Sequence, residues 1–556
     1  MTMKRNIFGL FVIVALALSA SSCIKETFPA GSTVTDDQIQ KSDDPLAVKL
    51  GALTASLHRH NAAGYYSLYG THIDFGMPTV HMLTECMLED FIYCGSSSWW
   101  FTYWLSNKYQ GSDYWMCSYY WDAYYSWIFA ANNIIASIDD PEKLDASTLV
   151  SLGQAYAYRA SFYLDLARLY EAKPVKEANY KNYTVPEGVY GLTVPIVTEK
   201  TTEKEAMNNK RVPRKEMYDF ILSDLEKAEK YIDGYEGSAL EPGAAMVDGL
   251  LARTWLELGY VSDTEFDNDA FKKAQDYAEK AIAKSGKTPL TQNEWEDSAN
   301  GFNSASSQNS WIWGIPVVSE SVGNLTSFNA WISSEATWGY GYYAQFGAGK
   351  SLYDSISDSD FRKHSFIDPK KSEYYDYKLA GSSDQIAAFY KRIKSYANIK
   401  FRAKYGEIDN YVTGGVGDYP MMRVEEMYFI KMEALARQHN LTAANEALTD
   451  FMSHRITDGS YESSAATEKA FLKEMLLQKR AEFWGEGVLI FDYKRLNQGI
   501  TRGYTGTNFP ATMRFNTSGR SPEWNIVITR GEFQANTGIT PELNNPDPSQ
   551  VIPLWE

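Results

Sequence analysis

Cysteine is scarce in this chain, and this scarcity excludes one class of fold. The 556 residues include 4 cysteines. Apart from Cys23 near the amino terminus these are Cys86, Cys94 and Cys117, and an odd number excludes a fully paired disulfide framework. Cys86 and Cys94 could still form one disulfide in an oxidising compartment, with buried free thiols as the alternative.

Recognisable catalytic signatures are also missing. The sequence contains no zinc-protease helix motif, no nucleophile elbow and no phosphate-binding loop, and its 7 histidines are scattered. A glycosidase needs two carboxylates about 5–10 Å apart, and the 70 acidic residues offer too many pairs to single one out. We therefore expect a binding protein without catalytic activity or cofactor, and keep a surface glycoside hydrolase as the minor alternative.

Basic residues are outnumbered by acidic residues. The formal net charge is −17, and removal of the first 22 residues takes away Lys4, Arg5 and no acid, which gives −19. Such a surface repels phosphate and sulfate polymers. Nucleic acid is therefore a poor partner, and neutral glycans are favoured over acidic ones. Acidity that only keeps the protein soluble is the alternative.

The first 22 residues have the pattern of an export signal. Lys4 and Arg5 precede an apolar run over 7–20, which is shorter than the roughly 20 residues that span a bilayer. Small residues then lead directly to Cys23, as a lipoprotein signal peptidase requires. We expect a signal peptide over 1–22, lipidation of Cys23 and a polar, flexible tether over 23–44. Ordinary secretion with a chance thiol at Cys23 is the alternative.

Helical periodicity recurs along residues 45–556. The sequence predicts helices over 117–135, 152–170, 213–232, 252–260, 271–286, 427–437, 443–455 and 467–484. Leu258-Gly259, followed by small alanines in the next helix, is typical of tetratricopeptide helix pairs, because small residues let two helices approach closely. Long segments without periodicity, about 286–420 and 500–556, separate or follow the pairs, and loops of that length are usually functional. We predict one mostly helical domain with a loop-rich insertion over about 286–420.

Aromatic residues are abundant and form two clusters that do not follow the helical stripes. The candidate ligand residues in and beside these clusters are Trp99, Trp100, Tyr103, Trp104, Asn329, Trp331, Trp338, Tyr340 and Tyr342. One face of a sugar ring consists of C–H bonds and stacks on indole or phenol rings, so we expect these residues to bind a neutral saccharide. Packing of the rings into a large core is the alternative. Five other tryptophans are assigned to packing: Trp115, Trp121, Trp127, Trp255 and Trp484.

Acidic residues alternate in one segment as they do in a calcium-binding loop. The candidate ligands are Asp263, Glu265, Asp267 and Asp269. The segment lacks the glycine of the sharp turn and the closing glutamate of such a loop. It predicts at most a weak surface calcium site, with a solvated turn between two helices as the default.

Several segments together resemble the SusD/RagB family of surface lipoproteins. Residues 480–487 read RAEFWGEG and residues 491–495 read FDYKR, which is similar to the family's pattern of Arg, Glu, Glu-Gly and Asp followed by basic residues. Further similar segments are YRA at 158–160, NNII at 132–135 and NNP at 544–546. The chain departs from the family at Val488 and Leu489, where a basic residue is usual. The resemblance covers essentially the whole mature chain.

The resemblance implies a fold, a place and a function. The fold would be about four tetratricopeptide-like helix pairs that support a loop-rich face. The protein would be lipid-anchored to the outer membrane and face the cell exterior. It would capture an oligosaccharide, or a peptide as in RagB-like members, and deliver it to a SusC-like TonB-dependent transporter. One set of family residues would form a partly buried ion network around the last helix: Arg480, Glu482, Glu486, Asp492 and Arg495.

Overall fold

A computed structural model describes residues 42, 44–58, 71–95, 100–175, 180, 183–306, 309–370 and 377–556. The predicted signal peptide, the lipidation site at Cys23 and most of the tether lie outside these ranges. Within them, no helix has both the length and the apolar character that crossing a bilayer requires.

The described chain is mostly helical, as predicted. The α-helices are α1 Pro45–Ser56, α2 Met77–Glu85, α3 Thr102–Leu105, α4 Trp115–Ile135, α5 Ala146–Tyr170, α6 Glu203–Ala206, α7 Arg214–Ile232, α8 Ala244–Leu258, α9 Asn268–Ser285, α10 Gln292–Trp295, α11 Phe328–Ile332, α12 Gly341–Ala344, α13 Lys350–Ser355, α14 Ser383–Arg392, α15 Tyr411–Gly414, α16 Val424–Arg437, α17 Leu441–Ser453, α18 Glu468–Phe483, α19 Leu489–Arg495 and α20 Arg530–Ala535. Short 3-10 helices lie at Pro141–Lys143, Glu187–Val189, Ser319–Ser321, Phe361–Ser365, Lys404–Gly406, Ala511–Met513, Pro522–Trp524 and Pro541–Leu543.

Each predicted helix is present, and the long helices pack on near neighbours in the chain. Helix α4 packs on α5, α5 on α7, α8 on α9 and α16 on α17. The close approach of α8 and α9 depends on Gly259, where an added Cβ would lie 2.3 Å from Cε1 of Phe271. Ala274 and Ala278 of α9 are fully buried. The tetratricopeptide character of these pairs stays a prediction.

Two small antiparallel sheets attach the segment 286–420 to the helices. Strand β1 (Phe91–Tyr93) pairs with β3 (Phe346–Ala348), and Tyr93 lies opposite Phe346. Strand β2 (Trp311–Ile315) pairs with β4 (Tyr419–Arg423), with irregular register near Trp313. The β1–β3 pair brings two segments together that are more than 250 residues apart in the chain.

The family residues near the carboxyl end do form ion pairs, and these are more deeply buried than predicted. Arg480 pairs with Asp90 at 2.6 Å, Glu486 with Arg423 at 2.8 Å, and Arg495 with both Glu433 and Asp492 at 2.8 and 2.6 Å. Such buried pairs offset the cost of desolvating each charge only when the geometry is good.

Glu482 lies at the centre of this network. Arg423 and Arg455 donate to its carboxylate at 3.0 and 2.8 Å, and Arg362 at 3.2 Å. Burial by itself would raise the pKa of Glu482, but the guanidinium groups of Arg455 and Arg423 hold that pKa well below its usual range. The family signature is therefore a structural feature of the helical core.

The alternating acids of the predicted calcium segment have different partners. Asp263 accepts a hydrogen bond from Arg520 at 2.7 Å, and Asp267 caps α9 by accepting from the amide of Asp269 at 2.9 Å. Within the described ranges, no group of three or more histidine, cysteine or acidic side chains is placed to hold a metal ion. The segment is a turn with a helix cap, and the calcium prediction gains no support.

The cysteines between residues 86 and 117 are free thiols. Cys86 and Cys117 are buried, and Cys94 is partly exposed. The open choice between a Cys86–Cys94 disulfide and free thiols is therefore settled in favour of free thiols in this structure. Burial raises the pKa of Cys86 above its ordinary value, which makes that thiol unreactive.

Candidate functional site

Two aromatic segments, one from each predicted cluster, meet at the end of the β1–β3 pair. The amide of Gly95 donates to the carbonyl of Ala344 at 2.8 Å, which extends the pairing beyond Tyr93. Gly95 is required there, because an added Cβ would lie 1.7 Å from the carbonyl oxygen of Tyr343. Gly95 is thus held against the segment that carries Tyr340 and Tyr342.

The rings near this junction form a row. The ring centroids of Tyr340 and His72 are 5.7 Å apart, those of His72 and Trp100 are 6.2 Å apart, and those of Trp100 and Trp115 are 6.4 Å apart. His72 is exposed, and the other three residues are half-buried. We call the row, together with the adjacent residues of α12, the aromatic rim: His72, Trp100, Trp115, Tyr340, Tyr342 and Tyr343.

Hydrogen bonds and stacking fix the position of the rim residues. The hydroxyl of Tyr340 and Nδ1 of His72 are 2.6 Å apart, within hydrogen-bond distance. Beneath them, Trp331 stacks on Tyr340 with ring centroids 4.0 Å apart, and its Nε1 donates to the carbonyl of His72 at 2.8 Å. A ring held in this way loses little conformational freedom when a ligand binds, which favours affinity.

Tyr342 has a separate support on the other side of α12. The guanidinium of Arg392 lies over its ring, 4.3 Å from the centroid. Arg392 also donates to the carbonyls of Glu335 and Ala336 at 3.0 and 3.2 Å, so the cation is anchored by backbone groups. Tyr343, which forms a T-shaped pair with Tyr342, is 62% exposed.

Four of the candidate ligand residues are buried, and the structure corrects their assignment. Trp104 and Trp331 have no exposed surface, Trp338 is 7% exposed and Asn329 is 2% exposed. Trp104 stacks on Tyr120, and the amide of Asn329 donates to backbone carbonyls. A ring without a free face cannot stack on a sugar, so these residues belong to the core and packing was the correct alternative.

The remaining candidates divide between two places. Trp100, Tyr340 and Tyr342 belong to the aromatic rim, while Trp99 lies outside the described residues. Tyr103 is 37% exposed and packs edge-on against Tyr109, with centroids 4.6 Å apart. Tyr109 in turn packs on Tyr114, with centroids 4.8 Å apart, so Tyr103 belongs to a group of three tyrosines.

Three residues of the rim were not among the candidate ligand residues: His72, Trp115 and Tyr343, which directly follows the candidate Tyr342. Trp115 was assigned to packing, but it is the first residue of α4 and remains half-buried. His72 precedes α2 in a turn and carries no motif. The one sequence signal for Trp115 is its position, since a residue at the first turn of a helix has no helical neighbour before it.

Two family models match separate parts of the chain. A SusD-like family model, described as starch-binding associating with outer membrane, matches residues 75–245. A second model, described as the SusD family, matches residues 334–541. Among curated protein sequences, none matches the chain significantly.

Solved structures share the fold. A SusD-like carbohydrate binding protein from Bacteroides vulgatus is 22% identical with a TM-score of 0.68, over 89% of this chain and 97% of that one. A SusD superfamily protein from Bacteroides thetaiotaomicron is 18% identical with a TM-score of 0.66, over 92% and 100%. A laminarin binding SusD-like protein is 17% identical with a TM-score of 0.60, over 90% and 98%. With two family models and this shared architecture, the chain belongs to the SusD/RagB family.

Proposed function

We propose that this protein captures an oligosaccharide at the aromatic rim and passes it to a SusC-like TonB-dependent transporter. The observation that carries the proposal is the row of rings from Tyr340 to Trp115, in which Trp331 supports Tyr340 and His72 from below. Neighbouring rings are 5.7 to 6.4 Å apart. A sugar chain lying along the row can therefore contact several rings in succession.

Stacking on such a row suits a neutral sugar. None of the six rim side chains carries a fixed charge, and the formal net charge of the chain is −17. Each ring contact contributes on the order of 1 kcal/mol, by analogy with other aromatic stacking. The names of two structural neighbours, a laminarin binding SusD-like protein and a surface glycan-binding protein A, are consistent with a glycan ligand.

Several modest contacts suit a protein that must release its ligand. If lipidated Cys23 holds the protein at the outer membrane, facing the cell exterior, the captured glycan stays close to the transporter. A high effective concentration then replaces tight affinity. Capture requires no bond to be made or broken, so we propose no catalytic activity.

The proposal is tested by calorimetric titration of the chain from residue 24 onward against a panel of neutral and acidic polysaccharides. We expect heat from at least one neutral polysaccharide and a clear loss of affinity in Tyr340→Ala. Tyr190→Ala, which changes a tyrosine that is 42% exposed outside the rim, is the matched control. Equal affinity in Tyr340→Ala and Tyr190→Ala would show that the glycan does not bind at the rim. No heat from any polysaccharide would favour a peptide ligand, and turnover of a glycan would favour a glycoside hydrolase.

A further inference from the structure

A large cleft lies away from the aromatic rim. It has a volume of about 1160 Å³ and opens between α4, the segment 195–209 and α20. This volume is slightly above the range of about 300–1,000 Å³ that is usual for ligand sites. None of the six rim residues lines it. Its walls come from parts of the chain that the proposed rim function does not use.

The floor of the cleft is aromatic and rigid. The rings of Trp121 and Tyr125, one turn apart on α4, pack with centroids 4.7 Å apart. Nε1 of Trp121 donates to Glu532 at 3.1 Å, and the hydroxyl of Tyr125 donates to the carbonyl of Pro195 at 2.7 Å. Each ring is therefore tied to a different wall. Tyr125 is half-buried, so part of its ring faces the opening.

The walls are also joined to one another by polar side chains. The hydroxyls of Ser118 and Thr529 are 2.6 Å apart, which links α4 to the start of α20. Asn536 accepts from the amide of Asn209 at 2.8 Å and donates to the carbonyl of the same residue at 2.6 Å. These bonds cross between elements that are distant in sequence. The cleft is thus preformed, which lowers the entropy cost of binding.

The lining charges select against an anion. The charged residues that line the cleft are Asp113, Asp122, Glu203, Glu532 and Arg530. Arg530 is paired with Asp113 at 2.6 Å, so the lining carries four carboxyl groups and a single guanidinium group. Burial raises the pKa of Glu532, and the nearby carboxylate of Asp122 raises it further. A field of this sign repels acidic ligands, while carboxylate oxygens accept hydrogen bonds from hydroxyl groups.

We propose that this cleft is a second saccharide site, which takes a neutral sugar unit independently of the aromatic rim. Tyr125 and Met207, which is 51% exposed, offer apolar surface for the C–H face of a sugar ring. Asp122 and Glu203 offer acceptors for its hydroxyl groups, and Gln534 adds an exposed amide. A glycan held at both places would be retained longer than one held at either, because the second contact is intramolecular.

The test uses ligand-observed saturation-transfer NMR on the chain from residue 24 onward. The probes are the methyl glycosides of glucose, galactose, mannose and N-acetylglucosamine, with glucuronic acid and glucosamine as charged comparators. The protein carries Tyr340→Ala, so that a failure of the rim and a failure of the cleft are observed separately. Ala535→Trp is then added to fill the cleft from its exposed side, and Ala283→Trp, on the exposed face of α9, is the matched control.

We expect a saturable signal from at least one neutral glycoside in the Tyr340→Ala protein. Ala535→Trp should weaken that binding at least about tenfold, and Ala283→Trp should leave it unchanged. Binding by glucosamine alone would mean that the cleft selects an amine rather than a neutral sugar. That result overturns the proposal. The proposal is also overturned if no neutral glycoside gives a signal, or if the signal persists in Ala535→Trp. Met207→Ala, which shortens an exposed side chain of the lining, should also weaken binding of the neutral glycoside, and it does so without adding bulk to the cleft.

Discussion

Trp331 and Tyr340 stack face to face, with ring centroids 4.0 Å apart and an angle of 17° between the planes. The indole of Trp331 has no exposed surface, whereas Tyr340 is half-buried. Nε1 of Trp331 also donates to the carbonyl of His72 at 2.8 Å. The buried indole thus positions two neighbouring residues of the rim from below, and a ligand above them contacts Tyr340 and His72 rather than Trp331.

Replacing Trp331 by alanine should therefore impair both stability and binding. Loss of a buried tryptophan lowers the free energy of unfolding by about 3–5 kcal/mol, and Tyr340 loses the ring that supports it. Trp331→Phe keeps an aromatic ring but loses the hydrogen bond to His72. Its free energy of unfolding should lie between those of the wild type and Trp331→Ala. Urea denaturation of the three proteins measures the effect. An unchanged denaturation midpoint in Trp331→Ala would show that the indole is not part of the core.

The contact between His72 and Tyr340 should act as one unit in ligand binding. Nδ1 of His72 lies 2.6 Å from the Tyr340 hydroxyl, and a hydrogen bond of this kind contributes about 1 kcal/mol. We expect His72→Ala and Tyr340→Phe each to weaken binding modestly, with little effect on stability because His72 is exposed. Combined, the two substitutions should cost less than the sum of the single effects. Additive losses in a calorimetric double-mutant cycle would show that the two residues act separately.

Buried carboxyl groups should make the protein less stable as the pH rises from about 4.5 towards 8. Burial raises the pKa of Glu85 to about 8 from an ordinary value of 4.5, and that of Glu523 to about 7. For a carboxyl whose folded pKa is raised, the stabilisation is complete below the unfolded pKa and is lost as the pH rises towards the folded one. Each such group lowers the free energy of unfolding by about 1.4 kcal/mol per pH unit in that window.

The range from pH 6.5 to 8 separates this effect from that of a buried histidine. Burial lowers the pKa of His81 from 6.5 to about 4, so this group changes stability only below pH 6.5. Between pH 6.5 and 8, Glu85→Gln should flatten the decline, since the amide oxygen can still accept the 2.8 Å hydrogen bond from Gly487. The exposed Glu142→Gln is the control. A wild-type protein whose unfolding free energy is flat or rising across this range would contradict the prediction.

The sequence was sufficient for the helical core, because periodic apolar stripes report local structure. The stripe from Cys117 to Ile135 predicts α4 almost to its ends. The family residues around Glu482 also predict an ion network, and the structure contains it. These features depend on short-range spacing or on a strong sequence signature, both of which are visible in a single chain.

The rim could not be read from the sequence, because it depends on contacts between distant segments. Trp331 and Tyr340 look alike as aromatic residues in a polar stretch, yet one is buried under the other. His72 gains its role only because the fold places it beside Trp100 and Tyr340. Composition predicts that aromatic residues gather, whereas tertiary packing decides which of them remain at the surface.

The most direct test of capture by stacking removes two rings from the rim at once. Trp100→Ala with Trp115→Ala takes away half-buried indoles whose centroids are 6.4 Å apart. With a neutral polysaccharide that binds the wild type, calorimetry should show a loss of about 2 kcal/mol, roughly a thirtyfold rise in Kd. Trp255→Ala, which changes a half-buried tryptophan on α8, should leave the Kd unchanged. Equal Kd values for the double variant and the wild type, or no heat from any glycan tested, would contradict the account.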